Sequence, residues 1–398
     1  MRTANRFTFF RFAALALLLL VANAASAAST MPSIVVDVTT GRVLHAQREF
    51  DRWRPASLTK LMTAYVTFKA IESGELTLKS PVRVSLNAAR NPPSHMAYPI
   101  GTIVTLDNAL KMMLVKSAND IAVAIAESVS GTVDEFAGRM NAEAARLGMR
   151  DSHFVNPNGL DDDGHYSTAH DLALLARAIR REFPQYEHYF STEALKDGDK
   201  VYKSYNILLG RFKGADGMKT GYVCESGFNL VASATRNGTT LIAVVLGEMS
   251  SKKRAERAAD LLELGFARLD HMESLPLLTA MQPPKDRSTK VADLRAAVCS
   301  KEANSARWAD RSLASFDTPA LTPLTRALVP VPIFKGGAEG VSRSAVMFAG
   351  QYFDELPVPA MRPVPLNDEV AESRRQAQLD GRAVGDIPIP ESRPDHGA

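Results

Sequence analysis

Phe228-Asn-Leu-Val-Ala-Ser-Ala-Thr235, then Arg236-Asn237-Gly238, then Thr239-Thr-Leu-Ile-Ala-Val-Val-Leu246 is the stretch on which the fold turns. Two apolar, β-branched runs flank an Asn-Gly pair, the dipeptide that supplies the positive φ angles of a tight hairpin turn. A second pair stands near the other end of the chain, Ser33-Ile-Val-Val-Asp-Val38 and Arg42-Val-Leu-His-Ala46 about a Thr-Thr-Gly turn. Between the hairpins the apolar period changes to 3.6. Helices are predicted over 57–74, 106–116, 119–130, 133–148 and 168–182, and one more over 252–270. Antiparallel strand pairs at both ends, with helices between, exclude an alternating βαβ chain. The prediction is an α/β domain whose antiparallel sheet is assembled from both ends around a helical subdomain.

Outside this body the chain changes character. Its 398 residues are 45% hydrophobic and 23% charged, which excludes a polytopic membrane protein, a rod and a wholly disordered chain. The net charge of +3 equals the three arginines Arg2, Arg6 and Arg11, and residues 1–30 hold no acid. Without that segment the chain is neutral, so charge offers no argument for nucleic acid as a partner. The arginines precede Phe12-Ala-Ala-Leu-Ala-Leu-Leu-Leu-Leu-Val-Ala22, too short to span a bilayer, and Ala25-Ser26-Ala27 is an A-x-A cleavage site. Residues 1–27 are read as an export signal, which puts the mature protein in the periplasm or cell envelope.

At the other end, 14 of the 22 prolines fall within residues 271–398. Alternations such as Val329-Pro-Val-Pro332, Leu356-Pro-Val-Pro359, Met361-Arg-Pro-Val-Pro365 and Ile387-Pro-Ile-Pro390 favour extended chain without a periodic apolar face. The expectation is a folded domain over 28–273 and a Pro-rich linker or disordered tail over 274–398. One short helix is placed near 289–299, and residues beyond about 285 are expected to be dispensable. Only Cys224 and Cys299 are present. Export permits a disulfide, but two cysteines make no framework, and the reading favours unpaired thiols.

Three short motifs bear chemistry. Ser57-Leu-Thr-Lys60 opens a predicted helix, where positions i and i+3 share a face and bring the amine to the hydroxyl. Serine needs an adjacent base, and lysine serves as one only when burial or nearby cations lower its pKa. Ser117-Ala-Asn119 lies in the turn between two helices, where such residues ordinarily cap; here they can relay a proton and bind a substrate amide. Lys219-Thr220-Gly221, on a late strand, can address a carboxylate, with Gly221 allowing close approach of a ligand backbone.

Taken together and in this order, the motifs resemble the serine active site of penicillin-binding proteins and class A β-lactamases. Ala56-Ser-Leu-Thr-Lys-Leu-Met-Thr63, Ser117-Ala-Asn-Asp-Ile-Ala122, Asn158-Gly-Leu160, Tyr166-Ser-Thr-Ala169 and Asp216-Gly-Met-Lys-Thr-Gly221 are similar to the low-molecular-mass D-alanyl-D-alanine carboxypeptidases. The resemblance covers about residues 32–270 and implies the β-lactamase/transpeptidase-like fold. It implies Ser57 as the acylated nucleophile, Lys60 as general base, and Ser117 and Asn119 as relay and orienting pair. Lys219, Thr220 and Arg254 would meet the substrate's terminal carboxylate, and the N–H groups of Ser57 and Tyr222 would form the oxyanion hole. The implied partners are peptidoglycan stem peptides ending in D-Ala-D-Ala and β-lactams, with no cofactor.

The chain departs from the family after residue 271. No β-rich second domain is recognisable, and the Pro-broken end cannot form the amphipathic helix that anchors relatives, which leaves membrane attachment open. Asp161-Asp-Asp163 with His165, His170 and Asp171 lacks a ligand spacing and is read as a solvated loop and a helix start, not a metal site. Three alternatives to a carboxypeptidase stay open: an endopeptidase on cross-links, a β-lactamase, and a non-catalytic wall-binding protein. Against the β-lactamase, residues 150–180 lack the Glu-x-x-x-Asn loop that activates a deacylating water.

Overall fold

The computed structural model describes residues 31–339. In chain order it contains β1 (Ser33–Asp37), β2 (Val43–Gln47), α1 (Thr59–Glu72), β3 (Pro81–Arg83), β4 (Ile103–Thr105), α2 (Leu106–Val115), α3 (Asn119–Ser130), α4 (Val133–Leu147) and α5 (Ala169–Glu182). There follow β5 (Ala194–Asp197), β6 (Lys200–Lys203), β7 (Ala215–Val223), β8 (Gly227–Arg236), β9 (Thr239–Glu248), α6 (Ser251–Ala267), α7 (Lys301–Ala309) and β10 (Val331–Pro332). The main sheet has five strands in the order β2-β1-β9-β8-β7. The two ends of the domain therefore meet where β1 pairs antiparallel with β9, Ile34 opposite Val244. Asn237 and Gly238 carry φ of 49° and 80°, as the β8–β9 turn requires.

Both sheet faces are covered, which is why Leu241–Leu246 is apolar without alternation. Val35, Ala232, Leu241 and Val245 face Ala258, Leu261 and Leu262 of α6. Ile34, Val231, Ile242 and Val244 belong to the larger core shared with the helices. At its centre lies α1, buried over most of its circumference, so its sequence shows little polar face. Thr105, Thr132 and Thr168 cap α2, α4 and α5 by accepting from the N–H of Asn108, Glu135 and Asp171.

The expectation for the C-terminal segment needs correction. Residues 274–339 pack on the body: Leu278 and Ile333 join the larger core, Leu321 joins the smaller one, and Val298 is buried. Val331–Pro332 pairs parallel with β5. Ion pairs Arg287–Asp151 (2.5 Å), Lys252–Asp310 (2.7 Å) and Lys253–Asp317 (2.5 Å) fasten it further. These are single anchors, each seated among residues distant in sequence, and they leave no period to read. The short helix near 289–299 is Arg295–Val298. The expected export signal, residues 1–27, and the proline alternations beyond 339 lie outside the described residues.

The cysteine expectation is likewise corrected. Cys224 and Cys299 form a disulfide, S–S 2.01 Å, that closes a loop of 75 residues. Chain-entropy arguments assign about 4 kcal/mol to a loop of this size. At roughly 2–4 °C per kcal/mol, replacing both cysteines by serine is expected to lower the melting midpoint by about 10 °C, measured by calorimetry. An unchanged midpoint would mean that the segment holds without its staple.

Candidate active site

The nucleophile turn comes first. Pro55, Ala56 and Ser57 lead through the 3₁₀ turn Ala56–Leu58 into α1, with Ala56 at φ 49°. One helical turn later Lys60 is wholly buried. Its Nζ donates to Ser57 Oγ (2.9 Å), Asn119 Oδ1 (2.7 Å) and the Asn158 carbonyl (2.8 Å), which uses all three ammonium protons. Among the described residues no acid pairs with it. Burial first, and the Lys219 charge second, hold its pKa well below the usual lysine value; Asp120 opposes them. A neutral Lys60 turns its lone pair on Ser57 and becomes a base.

Ser117 sits between α2 and α3 in the left-handed region, φ 60°, a conformation that costs a non-glycine residue roughly 1–3 kcal/mol. Its hydroxyl accepts from Lys219 Nζ at 2.9 Å, and Lys219 also donates to the Thr220 carbonyl at 2.9 Å. Burial and the nearby Arg254 guanidinium bring Lys219 down to about 7. Arg254, buried beside β7, donates to the carbonyls of Gly221 (3.3 Å) and Tyr205 (3.1 Å), and burial lowers it to about 9. Lys60, Lys219 and Arg254 thus form a row of buried basic groups, in which Arg254 disfavours the charge of Lys219 and Lys219 that of Lys60.

A cleft of about 280 Å³ lies over this row, and Ser57, Ser117, Asn119, Thr220, Gly221, Tyr222 and Arg254 all line it. Lys60 and Lys219 lie beneath its floor. Two of the lining residues also serve the protein's own structure. Asn119, on the cleft wall, turns its Oδ1 to Lys60 and its Nδ2 to the Pro92 carbonyl (2.9 Å), so its side chain orients the amine. Gly221 makes room for the chain's own turn. A Cβ there would stand 2.8 Å from the Pro55 carbonyl oxygen and 3.1 Å from the nitrogens of Ser57 and Leu58.

Tyr222 lines the cleft, while its ring packs against Phe228 with the planes tilted by 32° and its hydroxyl touches both disulfide sulfurs. The role of Asn158 escaped sequence reasoning because it acts on Lys60 through a main-chain carbonyl, to which residue type is blind. Asp161 and Asp163 pair with Arg54 at 2.9 Å each. His165 is buried against Thr59 Oγ1 (2.8 Å), and burial depresses it to about 3.

The cations set a pH prediction. Neutral Lys60 exists only above its lowered pKa, so acylation rises there with pH; charged Lys219 is lost as pH passes about 7. The profile of kcat/KM is expected to be bell-shaped with its alkaline limb near 7. Arg254→Gln removes the cation that depresses Lys219 and should move that limb to higher pH, whatever it does to the amplitude. A limb that stays in place would remove Lys219 from the titration.

The family model described as D-alanyl-D-alanine carboxypeptidase matches residues 21–250. The chain belongs to the D-alanyl-D-alanine carboxypeptidase family. It is 39% identical over 259 residues to D-alanyl-D-alanine carboxypeptidase DacD of Salmonella typhimurium, covering 62% of this chain and 66% of that one. It is 34% identical over 244 residues to DacF of Bacillus subtilis, covering 60% and 62%. The chain thus spans a little under two thirds of the length of these curated relatives. Among solved structures, penicillin binding protein 6B from Escherichia coli is 38% identical with a TM-score of 0.57, over 59% of this chain and 76% of that one. The fold is that of the penicillin-binding D,D-peptidases, as the resemblance of the three motifs implied. Among the described residues no helix is long and apolar enough to cross a membrane.

Proposed function

We propose that this protein is a serine D-alanyl-D-alanine carboxypeptidase that removes the terminal D-alanine of peptidoglycan stem peptides and is acylated by β-lactams. The observation that carries the reading is the buried, acid-free Lys60 amine 2.9 Å from Ser57 Oγ. In this mechanism neutral Lys60 takes the Ser57 proton as Oγ attacks the carbonyl of the penultimate D-alanine. The N–H groups of Ser57 and Tyr222 hold the oxyanion, a contribution typically of about 3–4 kcal/mol per donor. Ser117, supplied through Lys219, passes a proton to the departing D-alanine amine. Water then hydrolyses the acyl-enzyme by the reverse proton path. Thr220 and Arg254, with the charge of Lys219 behind them, fix the free carboxylate.

We place the activity outside the cytoplasm, supported by the Arg-rich and apolar start with Ala25-Ser26-Ala27 and by the disulfide. The test is a peptide ending in D-Ala-D-Ala, assayed for free D-alanine as the acid and as the C-terminal amide. Loss of a charged hydrogen bond of about 1.5–3 kcal/mol should cut kcat/KM for the amide by roughly 10–150-fold. Equal rates on both would favour an endopeptidase. Rapid turnover of benzylpenicillin, in place of a lasting adduct, would favour a β-lactamase.

A further inference from the structure

Positions along β7 give the cleft a direction. Gly221 packs on the Ser57 turn, Lys219 and Thr220 precede it, and Tyr222 and Val223 follow. On the carboxypeptidase reading, on which this inference rests, the terminal carboxylate lies at the Lys219 and Arg254 end. The acyl portion of the donor then runs past Tyr222 and Val223. Both line the cleft, and Asn158, Gly159 and Leu160 line it as well.

Beyond Val223 and Leu160, a segment that holds none of the three motifs joins the loops that continue these residues. The Leu294 N–H donates to the Glu225 carbonyl at 2.8 Å, and the Ala292 N–H to that of Arg52 at 3.2 Å. Cys299 is bonded to Cys224. Between these ties Arg295 pairs with the buried Glu225 carboxylate, in the turn after β7, and lies 3.8 Å from Asp161, the residue next to Leu160.

We infer that residues 292–299 form a strap across the acyl end of the cleft, and that Arg295, bridging Glu225 and Asp161, limits how long an acyl portion the enzyme accepts. An extended peptide advances about 3.3 Å per residue, so an acyl portion of roughly two residues ends beside Val223. A longer one meets the guanidinium. Arg295 is thus a specificity-determining residue placed outside the catalytic machinery.

The experiment compares D-alanine release from two donors by the full protein: diacetyl-Lys-D-Ala-D-Ala and a pentapeptide ending in D-Ala-D-Ala. Arg295→Gln keeps a hydrogen bond for Glu225 but is too short to span to Asp161. It should raise kcat/KM on the pentapeptide about fivefold or more while changing the short donor less than about twofold. Asp161→Asn, which leaves the Glu225 pair in place, should shift the ratio the same way. The benzylpenicillin acylation rate, which needs no long acyl portion, should stay unchanged in both. An unchanged donor ratio in both variants overturns the proposal, and so does an equal loss on both donors, the sign of a mere scaffold. A fall confined to the pentapeptide would make Arg295 a contact and not a limit, and overturns it too. Failure of the carboxypeptidase reading has a different signature: the wild type would be acylated by penicillin yet release D-alanine from neither donor.

Discussion

Ser57→Ala is expected to abolish both the covalent penicillin adduct and D-alanine release, by about 10⁴-fold or more, with the fold intact. No second hydroxyl can take over. Of the other two serines lining the cleft, Ser117 accepts from Lys219 and Ser94 donates to the Lys116 carbonyl, whereas the base Lys60 is aimed at Ser57. Because Ser57 opens a turn at the cleft and is not part of the packed core, the melting midpoint should move little. Intact-protein mass spectrometry decides the matter. An adduct of penicillin mass on the alanine variant would place the nucleophile elsewhere.

The second large effect belongs to Lys60. General-base catalysis typically contributes 10²–10⁴-fold, and Lys60→Gln should lower the penicillin acylation rate constant by about 10³-fold. Glutamine retains an amide donor for the Asn119 and Asn158 acceptors, so the loss is chemical more than structural. Lys60→Arg separates the two roles a lysine can play. Arginine stays charged throughout the accessible pH range, so it can position but cannot accept a proton. A variant with arginine that acylates within about tenfold of the wild type would show that Lys60 only positions Ser57, and the base would have to be sought elsewhere.

Much of this site lay in plain sequence. Ser57, Lys60, Ser117, Asn119 and Lys219-Thr-Gly, in that order on helix start, inter-helix turn and late strand, converge on one cleft. Such motifs are legible because each is a local spacing on a regular element. The helices were legible for the same reason. Predicted limits of 106–116, 119–130 and 133–148 fall within a residue of Leu106–Val115, Asn119–Ser130 and Val133–Leu147. Their caps and their 3.6-residue period are set by neighbours within four positions. The β8–β9 hairpin follows from Asn237-Gly238, where only a few residue types accept the backbone angles.

What the tertiary structure alone decided depends on residues far apart in the chain. Lys60 is a base in waiting because burial and Lys219 hold its pKa well below the usual lysine value, and neither is visible in a four-residue motif. The disulfide was misjudged because spacing says nothing of where Cys224 and Cys299 meet. The segment over 274–339 was misjudged because Leu278, Val298, Leu321 and Ile333 are single anchors, each buried by partners from elsewhere, with no recurrence along the chain. Periodic patterns report a continuous face presented by regular structure. Extended chain that docks residue by residue presents none, so the sequence of this protein determined its body and its motifs, and only the folded surface of that body decided where residues 274–339 would lie.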